Sequence, residues 1–136
     1  MMRAAALLAL AWAVAAPAAA QTIACNPAGN QAEMNQCAFD DLRKADAELN
    51  ATYAQVLARL KGQTVALARL KTAQRLWVQL RDADLAAQFP LADKQDPRVE
   101  YGSLYPMQRA GAQTELTRQR TAYLRKQFLA PAGEGR

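Results

Sequence analysis

The residues best equipped for chemistry lie on or beside apolar helical stripes. Asp46 and Asn50 stand one turn apart, with Tyr53 next on that face. Gln74, Trp77 and Arg81 follow one another at helical spacing, and Thr117 and Arg120 neighbour Leu124. A polar side chain at a core-facing position must find a partner. The expected pairs are Asp46 with Arg81 or Arg120, and Gln74 with Thr117 or Asn50. Such a set has two uses: a closed network that fixes helix register, which is the favoured reading, or a ligand site between helices. If the ion pair were buried, removing one partner would strand a charge at about 3–5 kcal/mol. Trp77 sits among leucines at helical spacing, so it is expected in the core with its N–H on an acceptor.

The residue types argue against an enzyme. The chain has no histidine, and its one serine is Ser103. Serine–histidine and cysteine–histidine nucleophile pairs are therefore excluded. A metal site is not expected without histidine and with both cysteines committed elsewhere. No glycine-rich phosphate loop is present, so no cofactor is expected. The carboxylate pairs Asp40–Asp41 and Asp82/Asp84 stand beside arginines, and helix salt bridges account for them.

These residues need long helices to position them. Asn30 suits an N-cap, with Glu33 three residues on completing a capping box. The first helix is expected from about Gln31 to Lys61. Its stripe is Ala38, Leu42, Ala45, Leu49, Tyr53, Val56 and Leu60. At 1.5 Å per residue it is a rod of about 45 Å. Gly62 ends it. The second helix runs from Thr64, as its cap, to Gln88, with Leu67, Leu70, Ala73, Trp77 and Leu80 facing inward. Phe89-Pro90 stops it. A connection from Pro90 to Ser103 follows, longer than an ordinary helix–helix link and so either functional or mobile. Ser103 can cap a third helix from about Leu104 to Leu129, with Pro106 in its first turn. Its inner face is Met107, Ala110, Thr114, Thr117, Thr121, Leu124 and Phe128. The expected fold is all-α: an antiparallel, up-down-up bundle of three long helices.

The ends and the cysteines indicate a compartment. Arg3, the apolar run Ala4 to Ala16, Pro17 and Ala18-Ala19-Ala20 have the layout of a secretory leader. The run is about 13 residues, against roughly 20 for a membrane span. Residues 1–20 are thus expected to be a signal peptide cleaved after Ala20, residues 21–129 one helical domain, and residues 130–136 a frayed tail. A periplasmic or secreted location follows, where Cys25 and Cys37 would form a disulfide. Closing a loop of about 13 residues is worth roughly 3 kcal/mol. A rival use of Cys25, as the lipidated residue of a Thr22–Cys25 lipoprotein box, would strand Cys37. The net charge of +5, about +4 without Arg3, is spread along the chain. It reads as a solubilising surface, with no nucleic-acid partner expected.

The series Cys25, Glu33-Met34-Asn35, Cys37, Ala45-Asp46, Leu49-Asn50 and Tyr53 resembles the start of the lysozyme-inhibitor LprI-like family. Ala73-Gln74-Arg75, Trp77, Arg81-Asp82-Ala83, Gly102-Ser103, Leu116-Thr117, Arg120-Thr121 and Leu124 continue it. The resemblance implies an exported helical protein of the bacterial envelope. It also implies a candidate partner, a lysozyme-type muramidase, with another envelope protein as the alternative for a structural or adaptor role. An inhibitor would have to plug an acidic cleft, which points to Lys94, Arg98 and Ser103 on the long connection. Many relatives carry a second cysteine pair where this chain has Leu85 and Ala112. Its absence implies a looser connection here than in those relatives. The positive charge argues against long-range attraction to a basic lysozyme.

Overall fold

The computed structural model describes residues 22–130. The expected leader 1–20 and residues 131–136 of the expected tail lie outside the described residues. Four α-helices follow in order: α1 (Gln31–Arg59), α2 (Thr64–Gln88), the short α3 (Pro97–Tyr101) and α4 (Tyr105–Leu124). A 3-10 turn, Gly102–Leu104, joins α3 to α4, and a π-helical turn, Arg125–Leu129, extends α4. No strand occurs among the described residues, and no helix there is long and apolar enough to cross a membrane.

Local signals set most boundaries. The Asn30 side chain accepts from the amides of Ala32 and Glu33, and Glu33 accepts from the Asn30 amide, a complete capping box. Gly62 turns the chain at φ 86°, where a residue with a Cβ would be strained. The other two expected caps differ. Thr64 is the first helical residue of α2, and Gln63 precedes it without a side-chain cap bond. Ser103 lies inside the 3-10 turn, and α4 also starts uncapped. Pro106 occupies the first turn of α4, where a missing N–H costs nothing. α1 ends at Arg59, two residues before the expected Lys61.

Cross-contacts give the directions. Asn35 near the start of α1 reaches the Ser103 carbonyl, and Arg59 at its end reaches the Leu129 carbonyl, each at 3.5 Å. α1 and α4 therefore run the same way. Arg120 meets Gln74 mid-helix; Leu70 shares a groove with Phe128 at one end of α2, and Leu85 shares one with Tyr105 at the other. α2 runs opposite to both, giving the up-down-up order.

The seam between α1 and α4 is built from small residues. Ala45, Leu49, Thr52 and Val56 are buried on α1, and Ala110, Thr114, Thr117, Thr121 and Leu124 on α4. Spacings of four and three repeat every 3.5 residues on average, the period of a coiled-coil seam. The short side chains let the two backbones approach closely. The hydroxyls of Thr114 and Thr121 donate back to the carbonyls of Ala110 and Thr117. The Thr117 hydroxyl has no partner among the described residues. At the hairpin end, Leu49, Val56, Leu70 and Leu124 form one buried cluster, with Trp77 and Phe128 packed on it.

α2 is held differently. Only Leu70 and Leu85 are fully buried on it. Leu80, expected to face inward, is 58 % exposed. The core face runs through Leu70, Gln74, Trp77, Arg81 and Leu85, whereas the expected stripe steps 3, 3, 4 and 3 residues from Leu67 to Leu80 and so runs off the face of a helix with about 3.6 residues per turn. Leu85, 1 % exposed, plugs the gap beside Tyr105.

Candidate functional site

Two regions bring together residues that the sequence singled out. The first is the middle of the α2–α4 contact. The Arg120 Nε–H donates to Oε1 of Gln74 at 2.9 Å. Its guanidinium lies 5.7 Å from the Trp77 ring and 5.2 Å from that of Tyr123. Arg81 covers the same indole at 5.4 Å. Trp77 thus faces two arginines, an attraction of its ring quadrupole for cations. Partial burial pulls the Arg120 pKa below its ordinary value, and the hydroxyls of Tyr123 and Tyr53 act in the opposite direction.

The expected ion pair of Asp46 is not formed. Arg81 is committed to Oδ1 of its neighbour Asp82, at 2.9 and 2.8 Å. Asp46 is half-buried, and no side-chain bond of its carboxylate occurs among the described residues. Asn50 is exposed, one residue past the buried Leu49. Thr117 is buried in the other seam, facing α1, so it cannot serve Gln74. The polar set is thereby split: Gln74, Trp77, Arg81 and Arg120 form one cluster, and Asp46, Asn50 and Thr117 stand apart from it.

The second region is the pole of the bundle that carries the disulfide. Cys25 and Cys37 are bonded, their Cα atoms 4.6 Å apart, and this ties the segment before α1 to its second turn. The rival lipidation of Cys25 requires that thiol free. At the same end of α1 lies a cleft of about 520 Å³ lined by Gln31, Asn35, Arg98, Ser103 and Pro106. Gln31 donates to Asn35 at 2.7 Å, presenting a row of amides. A second hollow of about 290 Å³ shares Arg98 and Pro106 and adds Phe39, Leu42 and Arg109. Phe39 is 40 % exposed there.

The long connection supplies the wall. Asp96 caps α3 by accepting from the Arg98 amide, and Pro97 opens the helix. Tyr101 donates to the Pro90 carbonyl at 2.6 Å. Phe89, Tyr101 and Tyr105 pack as a trio, two edge contacts and one stack. The long connection, expected to be either functional or mobile, thus contains a short helix whose last residue, Tyr101, is tied back to Pro90 and packed on Phe89 and Tyr105. Among the described residues no carboxylate lies within 4 Å of the Arg98 guanidinium.

Of the three candidate binding residues, Arg98 and Ser103 line one cleft. Lys94 does not; it is exposed in the turn before α3, at φ 64°. Gln31, Asn35 and Phe39 were missed. Phe39 had a readable signal, since it is an aromatic residue off the apolar stripe of an amphipathic helix.

The family model for lysozyme inhibitor LprI matches residues 23–124. An uncharacterized protein of Rhizobium meliloti (strain 1021) is 40% identical over 113 residues, covering 75% of this chain and 76% of the relative. No solved structure matches. The matched span runs from the disulfide segment through the buried Leu124 of α4, and the chain belongs to the lysozyme inhibitor LprI family.

Proposed function

We propose that this is an exported, non-enzymatic binding protein of the bacterial envelope that inhibits a lysozyme-type muramidase through its disulfide-bearing pole. The observation that carries the reading is the Arg98–Ser103 cleft. Glycoside hydrolases of this kind work with two carboxylates flanking the scissile bond. An exposed guanidinium with no carboxylate within 4 Å among the described residues is suited to such a pair, because its fork of N–H donors matches a carboxylate. Asn35, Gln31 and the Ser103 hydroxyl would supply neutral hydrogen bonds around it, and Phe39 an apolar edge. The disulfide and the pinned connection support the reading by holding the pole in one shape before binding. Export is supported by the leader-like residues 1–20 and by the disulfide.

The test is a muramidase assay with the disulfide-intact chain from Gln21 onward, on several lysozyme types and over a range of salt. Dose-dependent inhibition is expected. Arg98→Ala should raise the half-inhibitory concentration by about tenfold or more, as for a charged hydrogen-bonding anchor. Ser103→Ala should act more weakly, and Lys94→Ala least. Against a basic lysozyme, inhibition should strengthen as salt screens the repulsion between two cations. Unchanged inhibition by Arg98→Ala would remove the site.

The second reading is an envelope adaptor without inhibitory activity. It is favoured by one observation, the exposed apolar residues Val65, Leu76 and Leu80 on α2. No inhibition of any lysozyme type would leave that reading standing.

A further inference from the structure

The outer face of α2 has no role in the fold described above. At 100° per residue, Val65, Thr72, Leu76, Leu80 and Ala83 fall within a sector of about 80°. This sector lies opposite the face that carries Leu70, Gln74, Trp77 and Leu85. Val65 is 72 %, Leu76 55 % and Leu80 58 % exposed, and Arg69 is the one charged residue within the sector. Single exposed apolar residues need no explanation, but Leu76 and Leu80, two large ones a turn apart on an outward face beside Ala83, form a short stripe that does.

We propose that this face is a dimerisation surface, on which α2 of a second copy docks antiparallel. The flank of the stripe argues for a copy of the same chain. Arg75 and Asp82 lie on one flank, seven residues apart, with opposite charges. An antiparallel register that sets Leu76 against Leu80 of the second copy also brings Arg75 within one residue, about 1.5 Å along the axis, of Asp82 of the second copy, inside the reach of an arginine side chain. The two-fold axis repeats both contacts, so one register yields two leucine contacts and two ion pairs. Thr72 and Ala83 then face each other and are small enough for the backbones to approach. A parallel pair would put the charged flanks of the two copies on opposite sides of the seam and form neither ion pair.

Both charges are available. Arg75 is exposed, with no carboxylate within 4 Å among the described residues. The Asp82 carboxylate is 57% exposed, and both bonds from Arg81 go to Oδ1, leaving Oδ2 open to solvent partners. One face of one helix falls at the small end of specific interfaces, below about 1,200 Å² in total. The dimer is therefore a weak one, with dissociation in the micromolar range.

Sedimentation equilibrium of the disulfide-intact chain, from about 1 to 300 μM, tests the proposal. A monomer–dimer equilibrium is expected. Leu76→Glu with Leu80→Glu should keep the chain monomeric throughout, with helical circular dichroism unchanged because neither side chain is in the core. Arg75→Glu alone should weaken the dimer on the order of tenfold by replacing two attractions with two repulsions. Arg75→Glu combined with Asp82→Arg should restore it. A monomer at every concentration would overturn the proposal and hand the stripe to a different partner. A dimer indifferent to the two leucines, or a charge-swapped double variant that stays weak, would overturn it equally.

Discussion

α4 packs on both neighbours, and the two contacts are built by different rules. Toward α1 it offers Ala110, Thr114, Thr117, Thr121 and Leu124, all buried, against the equally buried Ala45, Leu49, Thr52 and Val56. Toward α2 it offers Arg120 and Tyr123, which lie around Trp77 and Gln74 and are only partly covered. Small side chains draw two backbones together and exclude water along the whole seam. Long amphipathic ones hold the backbones apart and leave grooves, such as the hollow of about 260 Å³ between Leu70, Tyr123 and Phe128. Stability is therefore concentrated in the α1–α4 pair, and α2 is the helix with surface to spare.

Four substitutions bear on this contrast. The largest effect is expected at Leu124, which is 0% exposed and joins the seam to the hairpin-end cluster. Leu124→Ala should cost about 4 kcal/mol in urea unfolding, from lost transfer energy plus a cavity. A loss below about 2 kcal/mol would mean that the seam relaxes and is not tightly packed. Trp77→Leu should cost about 2 kcal/mol, because it removes two cation–π contacts and part of the packing on the cluster. If this loss equalled that of Leu124→Ala, the two contacts would be equally strong and the contrast would fail. The smallest effect has the opposite sign. Thr117→Val removes a buried hydroxyl without a hydrogen bond, so it should raise stability by about 1 kcal/mol. Thr121→Val discards a hydroxyl that does donate and should lower it by up to about 1 kcal/mol, so thermal melts of the pair should move apart.

The same contrast explains what the sequence could reveal. The capping box at Asn30 and Glu33 is local and was plain in four residues. The inner face of α4 was legible from Ala110 to Leu124 because its spacing alternates four and three without a break. Thr52 escaped notice because the expected stripe steps four residues from Leu49 to the larger, apolar-bodied Tyr53, where the buried face steps three. On α2 the stripe was harder to follow: Leu80 and Leu85 are both leucines, and only the tilt of the helix against α4 decides which one is buried. The partners of Arg81 and Arg120 were not legible either. Arg81 took its neighbour Asp82 over a distant Asp46, since a pair already adjacent in sequence needs no loop closure. Arg98 and Ser103 could be named from the connection, but their meeting with Gln31 and Asn35 depends on the parallel course of α1 and α4.

That parallel course also governs how the chain can fold. Residues that meet in the tightest seam, such as Asn35 with Ser103 and Arg59 with the Leu129 carbonyl, are 68 and 70 positions apart. The sequence-adjacent pair, α1 with α2, is not the one that supplies the core. Helical bundles usually fold fast because their contacts are local. Here the decisive contact must close a loop spanning about half the chain before it returns any burial. During synthesis a growing chain that has completed α1 and α2 still lacks Thr114, Thr117 and Thr121, the α4 side of the seam. It stays without its main core until α4 has almost wholly emerged, a delay that keeps the chain loose enough to be threaded until then.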